Sequence, residues 1–149
     1  ELLKWLDYVS SKGTKELFYI KIPKILNMSD EIEKFKKNNN FYFTNQNLPK
    51  LLKKSKYVII GGVGLSSVSL EAISYRCKLL IPVIDPLDHI YFKRLKISKK
   101  FYKLFFNKDN FFKFFKNNSE LREKNIPNYD YNNFRKKYFN MSSEKIFFL

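Results

Sequence analysis

The segment with the most chemistry in its spacing is Gly61-Gly62-Val63-Gly64-Leu65-Ser66-Ser67. It lies between an apolar run, Tyr57-Val58-Ile59-Ile60, and a stretch with helical spacing, Val68 to Arg76. A strand, a glycine-rich turn and a helix start make an anion site for two reasons. Small residues let a phosphate approach backbone N–H groups, and the unpaired first-turn N–H groups and helix dipole favour negative charge. Ser66 and Ser67 add hydroxyl donors at that helix start. Glu71 lies one turn further on, next to the apolar Leu70 and Ala72. A carboxylate there can accept two hydrogen bonds from a ribose diol. The same residues also suit a tight turn with a serine cap and an exposed helix glutamate.

Other reactive side chains are few. Asp85, Asp88 and His89 cluster after the next apolar run. They are the candidates for sugar contact or acid–base work, with cap and loop roles as the alternative. Otherwise the catalytic set is unknown. Cys77 is the only cysteine and His89 the only histidine, so no structural zinc site and no internal disulfide can be built. Cys77 reads as a small core residue. No metal site and no tightly bound cofactor is expected.

A dinucleotide reading competes. Gly62 to Ser67 approaches the dinucleotide fingerprint, and Asp85 follows at about 20 residues. However, Ser67 stands where close helix–strand packing wants Gly or Ala. The motif also comes after two strand–helix units, whereas the fingerprint normally opens its sheet.

The elements that must position these residues alternate. Leu2, Trp5, Leu6 and Val9 predict a helix over 1–12, ended by Gly13. Strands are predicted at 17–22, 41–44, 57–60 and 78–84, with a short fifth at 104–106. Helices are predicted from Ser29 or Asp30 with Ile32 and Phe35 inward, after Asn47 with Leu48, Leu51 and Leu52 inward, over 68–76, and up to about Leu95. Asp109 is expected to cap a phenylalanine-rich helix running to Lys116. A polar linker, 117–128, leads to a terminal helix and tail, 129–149. Five alternations predict an α/β fold with a Rossmann-like parallel sheet flanked by helices. The 149 residues make a single domain. The chain opens at Glu1 inside a helical pattern, which reads as one domain of a longer protein.

The net charge is +15, from 29 basic and 14 acidic residues. Only four of the basic residues are arginines (Arg76, Arg94, Arg122 and Arg135). Bidentate recognition of phosphates and bases favours arginine. The lysine excess accompanies many Asn, Phe, Tyr and Ile, all with AT-rich codons, and reads mainly as solvated surface. No specific nucleic-acid contact is expected, although a basic nucleic-acid-binding module is the alternative that composition suggests. The run Lys93, Arg94, Lys96, Lys99, Lys100 and Lys103 can approach a polyanion or an anionic membrane. Phe111, Phe112, Phe114 and Phe115 exceed what one helix face buries, so some are left for a partner domain or a membrane. No apolar run reaches the ~18 residues of a membrane span.

Several segments together resemble a known pattern: Lys21-Ile22-Pro23, Asn45 to Leu52, Tyr57 to Gly62, Ser66-Ser67, Glu71-Ala72 and Lys78-Leu-Leu-Ile-Pro-Val83. They are similar to the C-terminal, nucleotide-sugar-binding half of GT-B glycosyltransferases, especially bacterial surface-carbohydrate enzymes of the polysialyltransferase-like and CDP-glycerol-transferase-like kinds. The resemblance runs from about Phe18 to Val83. It implies that Gly61, Gly62, Gly64, Ser66 and Ser67 hold donor phosphates and that Glu71 holds the ribose; Lys21 and Lys24, which flank Ile22, are the residues left to supply charge where the family has its histidine. Gln46, Asn47 and Leu48 would lie beside the base. The 82–88 loop would face the cleft where sugar and acceptor meet. The implied function is transfer of a sugar from a UDP-, CMP- or CDP-linked donor to a surface glycan acceptor. A separate N-terminal acceptor domain would complete the enzyme, and it would work in the cytoplasm, with a peripheral contact at the inner membrane face. Two departures stand out. The family's histidine before proline is Ile22, and its glycine before the last strand is Arg76 or Cys77. A non-catalytic relative that keeps the fold is therefore a further alternative.

Overall fold

The computed structural model describes residues 1–22, 29–61, 67–85, 90, 96–117 and 126–139. The order is α1 (Leu2–Ser11), β1 (Phe18–Ile20), α2 (Ser29–Phe35), β2 (Phe41–Phe43), α3 (Leu48–Leu52), β3 (Tyr57–Ile59), α4 (Ser67–Ser74), β4 (Lys78–Pro82), a 3-10 turn (Lys99–Phe101), β5 (Tyr102–Phe105), α5 (Lys108–Lys116) and α6 (Asn128–Phe139). The fold is α/β. Its five strands form two small parallel sheets, β1–β2 and β3–β4–β5, flanked by helices. Parallel neighbours need a crossover. Here α2 joins β1 to β2, and α4 joins β3 to β4.

The three-stranded sheet is covered on both faces, as the continuous apolar run of β4 requires. Leu79 and Ile81 enter one core with Leu52, Ala72, Ile73, Phe101, Tyr131 and Phe134, drawn from α3, α4, the 3-10 turn and α6. Leu80, between them, points to the opposite core, built by α1, α5 and the inner faces of β1 and β2. That second core is largely aromatic. Phe111 meets Trp5 edge-on at 5.7 Å and Phe105 at 5.0 Å. Edge-to-face pairs of this kind add about 0.5–1.5 kcal/mol beyond the area they bury.

Several sequence expectations are corrected. Most of the α5 phenylalanine surface is buried within this chain. Phe111, Phe114 and Phe115 are buried, and Phe112 is partly buried and meets the Tyr8 ring edge-on at 6.5 Å. The cap of α5 is Asn107, whose side chain accepts from the Asn110 N–H at 2.8 Å. Asp109 instead lies in the first turn and accepts a hydrogen bond from the Tyr8 hydroxyl, tying α5 to α1. β5 begins at Tyr102 rather than Leu104, and its Lys103 ammonium lies over the Phe114 and Phe105 rings, 5.0 and 5.8 Å from their centroids. The helix predicted up to Leu95, most of the 117–128 linker and the tail after Phe139 lie outside the described residues. The basic run divides. Lys93 and Arg94 lie outside the described residues, and Lys100 pairs with Asp130 of α6.

The end of α4 explains Arg76. The Cys77 N–H donates to Ala72 O at 3.0 Å and the Arg76 N–H to Ile73 O at 2.9 Å, with Arg76 at φ 68°. This is a Schellman cap whose left-handed position is normally glycine. The helix must stop there so that Cys77 and Lys78 can enter β4. The Arg135 guanidinium, only 4% exposed, closes the same end. Its Nε and Nη2 donate to Ser74 O, and its Nη1 donates to Asn132 Oδ1 at 3.3 Å. The Tyr131 hydroxyl donates to Arg76 O at 3.1 Å. A buried cation at a helix C-terminus is favoured by the dipole. Thus α6 seals the C-terminal end of α4, leaving the N-terminal end as the one facing the strand ends.

Candidate nucleotide site

Because all the strands within each sheet are parallel, the loops that follow them leave from the carboxyl ends, where α/β sheets bind ligands. Gly61 follows β3, Asp85 follows β4, Lys21 follows β1, and Gln46 and Asn47 follow β2. Ser67 opens α4 and is exposed, and no acidic residue lies in that first turn. Gly62, Gly64, Ser66, Asp88 and His89 lie outside the described residues.

Ser67, Glu71 and Tyr75 form one row along α4 at four-residue spacing. Glu71 is half-buried, and burial raises its carboxyl above the usual range. Tyr75 is raised by burial first and by the nearby Glu71 charge second. Glu71 therefore carries a charge that the fold does not favour, the condition in which a ligand hydroxyl is a useful donor. Tyr75 was not singled out from the sequence, although its spacing from Glu71 was a readable signal. Ser69 belongs to the opposite side of α4. It is fully buried with Ala72 and Ile73, so it serves the core rather than the strand ends.

Two groups flagged separately in the sequence meet in the structure. The Lys21 ammonium donates to Gln46 O at 2.7 Å. This bond ties the loop after β1 to the loop after β2 and brings a positive charge to the stretch expected to lie beside a base. The rest of that stretch is occupied locally. The Gln46 N–H donates to Thr44 Oγ1, and Asn47 Oδ1 caps α3 by accepting from the Lys50 N–H at 3.1 Å. The Asn47 side chain thus has a structural duty, while Gln46 and Asn47 remain exposed.

Gly61 has a packing reason of its own. A Cβ there would lie 2.4 Å from Leu2 Cδ2, 2.8 Å from Leu2 Cβ and 2.9 Å from Leu2 Cγ. The missing side chain lets α1 approach the end of β3. A contact across 59 positions has no local signature, so this role was not readable from the residues around Gly61. Gly61 is otherwise exposed.

Asp85 is exposed beyond β4, which ends at Pro82 with the Val83 N–H donating to Phe105 O. Cys77 is fully buried, its thiol donating to Ser55 O at 3.2 Å, and burial pushes its pKa up to about 12. It is a core thiol and no nucleophile. Ile22, in place of the histidine expected from the resemblance, is half-buried two residues past the end of β1. Among the described residues no group of three or more His, Cys, Asp and Glu side chains comes together to hold a metal. No helix among them is long and apolar enough to cross a membrane. Compared with protein-family models, with curated proteins and with solved structures, the chain has no significant match in any of the three, so its functional reading stands on its own residues.

Proposed function

We propose that this chain is the nucleotide-sugar-binding domain of a GT-B-type glycosyltransferase. The observation that carries the reading is the start of α4. A glycine–serine segment leads from a parallel strand into a helix with exposed Ser67 at its first position, no acid in its first turn, and Glu71 half-buried one turn later. In this reading the first-turn N–H groups and the Ser67 hydroxyl hold the donor phosphates, and they stabilise the charge that grows on the leaving nucleotide as the sugar departs. Glu71 accepts the ribose hydroxyls. Lys21 and Gln46 stand at the base side. The donor would be a UDP-, CMP- or CDP-linked sugar, and the acceptor a surface glycan presented by an N-terminal domain. The enzyme would act in the cytoplasm, against the inner face of the membrane. No tightly bound cofactor is needed for this division of labour.

A second reading keeps the nucleotide site and drops catalysis. Ile22 favours it, because an aliphatic side chain occupies the place where the related enzymes carry a cation or acid. Both readings share one test: calorimetry of the chain with UDP, CMP, CDP and GDP. At least one should bind, and Ser67→Glu should abolish binding by placing a carboxylate where phosphate sits. A folded chain that binds none of the four refutes both. The two are then separated by donor turnover in the longer protein that supplies the acceptor side.

A further inference from the structure

The exits of the three-stranded sheet lie side by side in the order β3, β4, β5. Gly61 stands past β3, Asp85 past β4 and Phe106 past β5. The Val83 N–H donates to Phe105 O at 2.8 Å, so the chain segments leaving β4 and β5 stay adjacent. Phe106 is 65% exposed, while every other phenylalanine among the described residues is buried or half-buried. Alternation along β5 sets its side. Phe105 enters the aromatic core, whereas Tyr102 and Leu104 join the core that α4 covers. Residue 106 continues that second row, on the face of the sheet where α4 packs. Its neighbours in the chain are fixed. Phe105 holds the bond from Val83, and Asn107 caps α5 by accepting from the Asn110 N–H. The ring is therefore carried on a firm stem, at the end of the sheet where α/β folds bind ligands.

We infer that Phe106 is the platform for the donor's sugar, and that the donor is a hexose linked through a nucleoside diphosphate. The inference rests on the nucleotide reading and carries it one group further along the donor. A nucleotide-sugar is linear, with its phosphates in the middle. Those phosphates stand at the first turn of α4, and the base-side residues Lys21 and Gln46 belong to the loops of the other sheet. The exits of β4 and β5 are left to the sugar. Gly61 and Phe106 are two strands apart, about 10 Å at the usual spacing, which is the reach of a diphosphate plus one sugar ring. The C–H groups on one side of a pyranose are slightly positive and meet the negative face of an aromatic ring. Its hydroxyls need acceptors, and the Asp85 carboxylate is exposed beyond the neighbouring strand. A base also stacks well on such a ring, but Phe106 lies past β5, at the far edge of the phosphate-side sheet, and Gln46 lies on the other sheet.

The test is calorimetry with the tightest binder among UDP, CDP and GDP, set beside its hexose ester (UDP-glucose, CDP-glucose or GDP-mannose). Phe106→Ala should lower affinity for the ester roughly fivefold and for the bare diphosphate by less than about twofold, while Phe106→Tyr retains both. Because the ring is exposed, thermal unfolding of both variants should match wild type. Three results overturn the inference: ester affinity unchanged in Phe106→Ala, an equal loss for ester and bare diphosphate, which would make the ring a base platform, or no binding of any of the three diphosphates. The first two leave the nucleotide reading standing. The third, joined by failure of CMP to bind, removes that reading as well.

Discussion

Gly61→Ala tests how the candidate site is assembled. Three atoms of Leu2 lie 2.4–2.9 Å from where the alanine methyl must go, and one of them is Leu2 Cβ. The clash therefore reaches the stem of Leu2 and cannot be relieved by a terminal rotamer alone. Either α1 shifts away or the end of β3 moves. Overpacking of this size costs about 1–3 kcal/mol. For a chain of this length that is a fall in melting temperature of roughly 3–4 °C per kcal/mol. The assay is a double-mutant cycle by urea unfolding. Leu2→Ala removes the obstructing side chain, at some loss of burial in the aromatic core. If the clash is the cause, the double variant is more stable than the sum of the single effects predicts, by about 1 kcal/mol or more. A neutral Gly61→Ala, or strict additivity, refutes the close approach of α1 to the strand end. Nucleotide affinity should follow the same pattern. It should weaken in Gly61→Ala, where the turn is displaced, and recover in part in the double variant.

Further outcomes follow from the same geometry. Because burial raises the Glu71 carboxyl, its ionised form is disfavoured in the fold; Glu71→Gln should be more stable than wild type at pH 7 by thermal unfolding, with the difference gone below the ordinary carboxylate range near pH 4. The same variant should lose roughly five- to tenfold in nucleotide affinity by calorimetry. Arg135→Ala, which leaves Ser74 O without its charged donor, should cost about 2–3 kcal/mol in denaturant unfolding. Arg76→Gly relieves the left-handed strain at φ 68° and should raise stability by about 0.5–1 kcal/mol. The Cys77 thiol ionises near pH 9 when unfolded and about 12 when folded, so its contribution is constant below pH 9 and stability falls above it, by about 2–3 kcal/mol at pH 11. Cys77→Ala should flatten that alkaline decline, and the wild-type thiol should resist Ellman's reagent until the chain is unfolded.

Much of the fold was legible because its signals are local. The Leu2-Trp5-Leu6-Val9 spacing specifies α1, and a continuous Leu79-Leu80-Ile81 run specifies a strand covered on both faces. The Asn47 cap and Gly13, at φ 83°, act where their chemistry places them. The errors have physical causes. Asp109 and Asn107 are both good caps, and the choice depended on a tertiary bond from Tyr8. Lys103 concealed the start of β5 because its ammonium is accommodated over the Phe114 ring, a tertiary cation–π contact with no local signature. Division into two sheets depends on lateral pairing, to which strand periodicity is blind. At the candidate site, the row of Ser67 and Glu71 was readable from helical spacing. The Lys21–Gln46 bond and the Leu2–Gly61 contact join distant segments and could come only from the fold.

The central claim is that nucleotide phosphate sits on the first turn of α4. An isotope-labelled sample of the 149-residue chain, titrated with the tightest binder among UDP, CMP, CDP and GDP and followed by backbone amide shifts, tests it residue by residue. The predicted result is that the largest saturable shifts fall at Gly61 and Ser67 to Leu70, with smaller ones at Gln46 to Leu48. Saturable binding whose shifts leave those amides unmoved and cluster elsewhere on the surface would contradict it.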